Sequence, residues 1–421
     1  MILREAPPTG GLPLCLSDLL GATASHSLNR AIIEITGASD VVVTCSGTAA
    51  LVIALTYLKR VSQRRKVIIS GYTCPLVALA AVHVGLNVVP CDTVPGGFEL
   101  DPNHLATIVD NDTLCVVPTH YGGALADVAG ICNIVKNLSS GTFVVEDAAQ
   151  AFGATWDNAS VGFAGDIGIF SFAVGKGLTI YEGGCLVSQD SEIIGGLRKV
   201  SDEIIPHNSL LEALRKIELV RHYLLYNPLG IALTYGVPRR FWLRRNDITR
   251  ASGDCFTSDI PLHKVSSWRM SVGARASRRL SSHLARIREV FKQLGVQLHG
   301  LPGLELHEPN QGTQPNCTYR FLTFASEAQC RAALDVLWPS PFGVSKPFIY
   351  PIADHPSLAG KLAASRTPNA SALTARTIAL TTSPFLQEAS MHTLVETLRA
   401  MVMNDLQQEM HKGAGREWGR S

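Results

Sequence analysis

The stretch Gly165-Asp-Ile-Gly-Ile-Phe-Ser-Phe-Ala-Val-Gly-Lys-Gly-Leu-Thr-Ile-Tyr-Glu-Gly-Gly184 places a single lysine, Lys176, among apolar and small residues. The pattern predicts a strand, a glycine-flanked turn and a second strand over residues 166–189. Burial on such a turn disfavours the charged amine and lowers its pKa. A lysine of this kind is nucleophilic near neutral pH, as Schiff-base chemistry requires, although most lysines on turns simply reach solvent.

Two segments upstream carry complementary chemistry. The run Thr142-Phe-Val-Val-Glu-Asp-Ala-Ala-Gln150 indicates a buried strand that ends in two carboxylates and an amide. The turn Ser46-Gly47-Thr48 joins a β-branched strand to an apolar helix, whose free N–H groups would bind a phosphate. A phosphate site, an acid for a ring nitrogen and a lysine for an aldehyde together match pyridoxal phosphate (PLP).

Several motifs, in this order and spacing, resemble the DegT/StrS family of fold-type I PLP enzymes, most of which are nucleotide-sugar aminotransferases. The resemblance is close over residues 26 to 200 and looser beyond. The motifs are Ser46-Gly-Thr-Ala-Ala-Leu51, Ser70-Gly-Tyr-Thr-Cys74, Pro118-Thr-His-Tyr-Gly122, Glu146-Asp-Ala-Ala-Gln150, Phe170-Ser-Phe172, and Lys176 followed by Glu182-Gly-Gly184.

The resemblance implies a role for each site residue. Lys176 would form the Schiff base with the cofactor, Asp147 would pair with the pyridinium nitrogen, and Gln150 would contact the ring or its 3-hydroxyl. The phosphate would be held by Gly47, Thr48 and Ser171. Strand alternation independently favours Asp147 over Glu146 as the residue that faces the cofactor. The resemblance further implies ping-pong amino transfer, with glutamate as donor and a nucleotide-linked keto-sugar as acceptor, in a homodimer.

The chain departs from the family pattern at two positions. Cys74 occupies the place of an aromatic residue that stacks on the PLP ring, and Ser267 occupies that of an asparagine that reaches the phosphate of the neighbouring subunit. His120, Tyr121 and Tyr72 are candidate substrate contacts. A lone histidine near a strand end is as often a satisfied structural group, so both interpretations of His120 stay open.

The alternation of strands and helices predicts an α/β fold with a mostly parallel, seven-stranded sheet between helices and a smaller C-terminal α+β domain. We expect strands near 41–45, 67–70, 87–91, 114–118 and 142–146, and helices near 48–60, 75–84, 102–109 and 127–138. A chain of 421 residues is longer than the length at which a single hydrophobic core keeps growing. We therefore assign a large PLP-binding domain to 1–265, a small domain to 266–410 and a disordered tail to 411–421.

Composition bounds the remaining possibilities. The 37 basic and 35 acidic residues give a net charge of +2, which argues against an electrostatic nucleic-acid binder. The ten cysteines include no Cys-x-x-Cys pair, which favours reduced core thiols over a disulfide or zinc framework. The first residues lack a basic start and an apolar core. We therefore expect a cytoplasmic enzyme without a metal site.

An apolar and basic insertion spans about residues 203–260. Its run from Tyr223 to Val237 is too short for the roughly 20 residues that cross a bilayer, so it is not a transmembrane helix. Four arginines follow around Phe241 and Trp242, which makes 223–245 a candidate peripheral membrane contact. The favoured alternative is a helical hairpin packed against the body or a second subunit.

Two other functions remain open. The chain could be a PLP aminotransferase of a non-sugar ketone in secondary metabolism, because Cys74 and the 203–260 segment both depart from the sugar-enzyme pattern. It could also be a catalytically silent PLP-binding scaffold, although Lys176, Asp147, Gln150 and the phosphate-binding turn all argue for catalysis.

Overall fold

The computed structural model describes residues 4–21 and 27–417. Its strands are β1 (Val42–Thr44), β2 (Lys66–Ser70), β3 (Asn87–Cys91), β4 (Thr113–Val117), β5 (Phe143–Asp147), β6 (Thr155–Trp156), β7 (Ala159–Ser160), β8 (Ile167–Ser171), β9 (Gly184–Val187), β10 (Leu304–Leu306), β11 (Thr313–Gln314), β12 (Tyr319–Phe324) and β13 (Thr377–Thr381). Its helices are α1 (Leu16–Leu20), α2 (Leu28–Thr36), α3 (Gly47–Val61), α4 (Pro75–His83), α5 (Pro102–Ile108), α6 (Val128–Leu138), α7 (Ser191–Ile204), α8 (Ser209–Leu225), α9 (Pro228–Ile231), α10 (Val237–Leu243), α11 (Ile248–Ser252), α12 (Ser267–Ser277), α13 (Leu280–Leu298), α14 (Glu327–Leu337), α15 (Pro368–Arg376) and α16 (Glu388–Glu417).

Seven strands form one mostly parallel sheet in the order β1-β9-β8-β5-β4-β2-β3. Only β9 runs antiparallel to its neighbours, β1 and β8. The central strands are buried along their length and rich in Val and Ile, because helices cover both faces of a parallel sheet. The predicted fold class, strands and helices are confirmed, and the carboxyl ends of β1, β2, β4, β5 and β8 meet at one edge.

The second half of the chain builds a smaller antiparallel sheet, β10-β12-β13. Leu294 and Leu298 of α13 pack in its apolar core together with residues of α14 and α16. Helix α12 packs instead beneath the large sheet, where Val272 and Ala276 join Phe170 and Phe172. The apolar core beside this smaller sheet therefore takes its first residues from α13, and the domain boundary at residue 266 stays a prediction. Helix α16 continues as backbone helix into the segment 411–421 that we expected to be disordered. Residues 418–421 of that segment lie outside the described residues.

An N-terminal strap, residues 5–12, runs between the large sheet and the second half of the chain. Leu12 N donates to Gly177 O at 2.8 Å, Gly10 N to Thr318 O at 2.6 Å, and Ala6 N to Pro341 O at 3.0 Å. Glu5 is buried in an ion pair with Arg239 and a second, 2.8 Å pair with Arg240. The strap thus joins the turn of Lys176, the small domain and the insertion.

The insertion is helical and comprises α8 to α11, with a π-helical turn at Ala232–Gly236 between α9 and α10. Leu219, Tyr226 and Ile231 are buried against the body. Among the residues that the structure describes, no helix has both the length and the apolar character needed to cross a bilayer.

Candidate active site

Lys176 lies on a tight turn between β8 and β9 at the carboxyl edge of the large sheet. Gly175 and Gly177 have φ values of +82° and +93°, a region that side chains disfavour, so glycine is required on both sides of the lysine. Burial lowers the pKa of Lys176, while the neighbouring acidic groups Cys74 and Asp147 oppose that shift. The fraction of Lys176 that carries the uncharged, nucleophilic amine at neutral pH is therefore larger than for an ordinary lysine.

Asp147 ends β5 and faces the same site. Its Oδ1 accepts a hydrogen bond from Ala149 N at 3.1 Å, and Thr119 Oγ1 lies 3.5 Å from its Oδ2. Thr119 in turn is 3.1 Å from Thr73 Oγ1. Burial raises the pKa of Asp147 above its usual value, with Ala149 N–H and the charge of Lys176 opposing the shift. A cation beside this carboxylate would offset its desolvation.

Glu146, the neighbour of Asp147, points to the opposite side, as strand alternation predicts. It accepts from Ala164 N at 2.9 Å and Gly165 N at 3.2 Å and lies 2.9 Å from His120 Nε2. Burial would raise the pKa of Glu146, but hydrogen bonds with His120 and with the N–H groups of Gly162 and Gly165 hold it below its usual value. His120 Nδ1 also accepts from Ala126 N at 3.0 Å. Both ring nitrogens are engaged, which favours the structural interpretation of His120.

The expected phosphate site joins two elements. Ser46 Oγ accepts from Ala49 N at 3.0 Å and starts α3, so the N–H groups of Gly47 and Thr48 belong to the first turn and have no partner within the helix. A Cβ on Gly47 would lie 3.0 Å from Ser171 Cβ. The helix start and the end of β8 are thus in direct contact, which brings the Ser171 hydroxyl to the first turn of α3.

Gln150 and Tyr319 connect the two domains at the site. The Tyr319 hydroxyl donates to Gln150 Oε1 and accepts from Gly122 N at 3.1 Å. Cys74 precedes α4 near Lys176 and Asp147, and burial raises the pKa of its thiol to about 11. The thiol is therefore neutral at pH 7. It offers a small apolar surface at the position where the family pattern has an aromatic ring.

Tyr72 and Tyr121, both candidate substrate contacts, lie in a buried aromatic cluster with Phe98, Phe321 and Phe348. The Tyr121 hydroxyl donates to Tyr72 O. That engagement favours a structural role for Tyr121. Ser267, in contrast, is exposed at the start of α12.

Sequence reasoning missed Asn316. Asn316 is fully buried with both amide atoms unpaired, and its Nδ2 lies 4.0 Å from a Cβ built on Gly177. The next residue, Cys317, has a strained φ of +60°. A buried unpaired amide beside the lysine turn is a potential ligand contact. Asn316 could not be found from the sequence because no spacing relates it to Lys176.

Arg269 fixes the loop that follows Lys176. It is fully buried, donates from Nε to Ile180 O at 3.3 Å and from Nη2 to Glu182 O, and pairs through Nη1 with Glu212 Oε2 at 2.9 Å. The loop includes Tyr181 at a φ of +72°, a conformation that needs external support.

Residues 20–206 match the model of the DegT/DnrJ/EryC1/StrS aminotransferase family. This segment belongs to that family. The relatives include the spore coat polysaccharide biosynthesis protein SpsC of Bacillus subtilis (strain 168), 36% identical over 39% of this chain and 42% of its own length. Another is the UDP-N-acetyl-3-dehydro-alpha-D-glucosamine 3-aminotransferase of Acidithiobacillus ferrooxidans, 29% identical over 52% of this chain and 61% of its own length.

The match thus spans less than two thirds of either relative. Across nearly the whole chain the fold is similar to that of the aminotransferase TlmJ from Streptoalloteichus hindustanus, with a TM-score of 0.71 and 21% identity over 96% of this chain and 99% of that one.

Enzymes of this family depend on PLP. The described residues fit that cofactor: the unpaired N–H groups of the α3 start suit a phosphate, the buried Asp147 suits a cationic ring nitrogen, and Lys176 suits an aldehyde. The unpaired Asn316 amide faces the same turn region and leaves hydrogen-bonding capacity unused by the protein.

Proposed function

We propose that the chain is a PLP-dependent aminotransferase that moves an amino group from glutamate to the keto-sugar of a nucleotide sugar by a ping-pong mechanism. The observation that carries the proposal is that Lys176, Asp147 and the contact between Gly47 and Ser171 lie at one edge of the sheet. All of these residues belong to the segment that matches the aminotransferase family. The similarity to a named UDP-sugar aminotransferase supports the acceptor class.

In the proposed mechanism, bound PLP supplies an electron sink for the carbon that gains or loses the amino group. Lys176 would hold the cofactor through its Nζ, and the same amine, when free, would act as the base and acid that moves a proton at the reacting carbon. Asp147 keeps the ring nitrogen protonated, since a buried carboxylate beside a cation remains ionised. The first turn of α3 and Ser171 would hold the phosphate, and Gln150, positioned by the hydroxyl of Tyr319, would contact the ring.

The central assignment is tested by trapping. The protein is loaded with PLP, reduced with borohydride and digested, and the modified peptide is identified by mass spectrometry. Lys346 is an internal control, because burial lowers its pKa as well. We expect the label on the peptide of Lys176 and no loss of label in a Lys346→Met variant. Labelling of another lysine in the unmodified protein would contradict the assignment.

The donor and acceptor are tested next. Adding glutamate to the loaded enzyme should convert the visible band to the shorter-wavelength amine form, and a panel of nucleotide keto-sugars should restore it. Restoration only by a carbocyclic or other non-sugar ketone would favour the alternative acceptor class, for which Cys74 remains the motivating departure. A spectrum unchanged by any amino donor would favour a silent PLP-binding scaffold.

We also propose a homodimer in which the exposed Ser267 reaches the phosphate of the second subunit. Light scattering coupled to size exclusion measures the assembly. A Ser267→Ala variant should bind PLP more weakly without changing the mass, and a monomeric, fully active wild type would contradict the proposal.

A further inference from the structure

Exposed apolar side chains concentrate in the insertion. Of the eighteen large apolar side chains that are exposed among the described residues, ten lie between positions 210 and 248. Isolated exposed apolar residues are ordinary, whereas a group of this density marks a contact surface. We call the exposed side of α8 to α11 the insertion face.

Helix α8 turns its apolar stripe away from the protein. At about 100° per residue, Leu210, Leu214, Ile217 and Leu224 fall within a sector of about 80°. The buried positions Glu212, Leu219 and Tyr226 lie on the opposite side of the helix. An amphipathic helix of a globular protein buries its apolar side. The exposed side of α8, where Leu210 is 74% and Ile217 64% accessible, therefore requires another cover.

The segment from α9 through the π turn to α10 also exposes a row of apolar side chains. Leu229, Leu233, Val237 and Phe241 are exposed and spaced four residues apart. Four residues exceed one α-helical turn, so such a row drifts around a regular helix. The wider π turn at Ala232–Gly236 reduces that drift and keeps the row on one side. The stripe thus continues through the insertion.

The charge of the insertion face is one-sided. Residues 205–253 contain eight Lys and Arg against three Asp and Glu, a net charge of +5, while the whole chain carries +2. All three carboxylates have partners: the buried Glu212 pairs with Arg269, Glu218 with Arg215, and Asp247 caps α11, while the side chains of Glu218 and Asp247 are 30% and 33% exposed. The exposed charged side chains are all arginines, at positions 221, 244, 245 and 250.

We propose that the insertion face binds the surface of a bilayer that contains anionic phospholipids. An exposed apolar stripe beside arginines, with Phe241 and Trp242 at its end, has the chemistry of an interfacial helix, which combines burial of apolar side chains with attraction to anionic headgroups. A second copy of the chain packed through the same face fits less well, since it would bring a second set of exposed arginines to the interface while the carboxylates of α8 to α11 are already engaged with other groups.

The test is co-sedimentation of the full chain with phosphatidylcholine vesicles, with and without phosphatidylglycerol, at low and high salt. The wild type should sediment with the anionic vesicles and be partly released by salt. The double substitution Ile217→Glu and Leu224→Glu should weaken partitioning at least about tenfold, because it places charge in the apolar contact. The matched control is Val296→Glu, at an apolar position on α13 that is 72% exposed. It should sediment like the wild type.

A second variant separates the electrostatic contribution. Arg244→Ala with Arg245→Ala should remove the preference for anionic vesicles while circular dichroism and aminotransferase turnover stay as in the wild type. Absence of wild-type binding to anionic vesicles at low salt would overturn the proposal, as would binding that the Ile217 and Leu224 substitutions leave unchanged. If these substitutions instead dissociate a dimer and vesicles do not bind, the insertion face is an interface between copies, and the bilayer proposal is wrong.

Discussion

The buried carboxylate of Glu212, which binds His263, Ser266 and Arg269, should be a major contributor to stability. Burial would raise the pKa of Glu212, but hydrogen bonds from His263 and Ser266 and the charge of Arg269 bring it to about 2, from a usual 4.5. At about 1.4 kcal/mol per pKa unit, this corresponds to ~3 kcal/mol of stability at neutral pH. The substitution Glu212→Gln should remove this contribution and leave Arg269 buried without its counter-charge.

The pH dependence has a defined sign. A carboxyl group whose pKa is lowered by folding stabilises the protein above its unfolded-state pKa and loses that effect as the pH falls through its folded-state pKa. The difference in stability between wild type and Glu212→Gln should therefore be full at pH 7, decline below about pH 4.5, and be nearly lost at about pH 2.

Urea unfolding at several pH values measures this difference, with tryptophan fluorescence and far-ultraviolet circular dichroism both followed to check that the transitions coincide. The matched control is Glu203→Gln, whose partner Arg60 is 45% exposed. A surface pair of this kind contributes up to about 1 kcal/mol. If Glu212→Gln unfolds like the control at pH 7, or if its deficit does not change with pH, the assignment of a buried, strongly stabilising pair is incorrect.

The other predictions concern the site. Gly47→Ala should weaken PLP binding about tenfold or more, measured by fluorescence titration, because its Cβ would press on Ser171 at 3.0 Å; Gly195→Ala, with no atom within 4 Å, is the neutral control. Asp147→Asn should slow the glutamate half reaction at least about tenfold in stopped flow while PLP still binds, since the ring nitrogen loses its ionised partner; an unchanged rate would contradict that role. Asn316→Leu should preserve or raise the melting temperature, because an unpaired amide is removed, but lower kcat. Full activity would mean that this amide does not serve catalysis.

The sequence predicted the large sheet well because its signals are local. Apolar β-branched runs, glycine pairs and a serine cap each specify their own segment, and the carboxyl ends of parallel strands must share an edge. Lys176, Asp147 and the start of α3 could thus be assembled without coordinates. The pairing of Asn316 with the lysine turn, and of Arg269 with Ile180 and Glu182, depends on how distant segments pack, which no spacing records.

The basic helical run after Ser271 illustrates the same limit. The spacing of its arginines predicts one long amphipathic helix with a solvated charged face, but the structure breaks this run between α12 and α13 at positions 278–279. Arg279 pairs with Asp18, and Arg288 Nε donates to Pro315 O at 2.8 Å. Guanidinium groups that bind backbone carbonyls of other segments look identical in sequence to solvent-exposed ones.

The N-terminal strap has a consequence for biosynthesis. Its residues leave the ribosome before their partners, since Glu5 pairs with a residue 234 positions later and the hydrogen-bond acceptor of Ala6 is Pro341. At roughly 5 to 20 residues per second, the acceptor is made about 20 to 70 seconds after the strap. Leu12 can bind Gly177 O earlier, but the contacts of Glu5 and Ala6 must wait until most of the chain exists, so the link between the strap and the second half of the chain is a late event of folding.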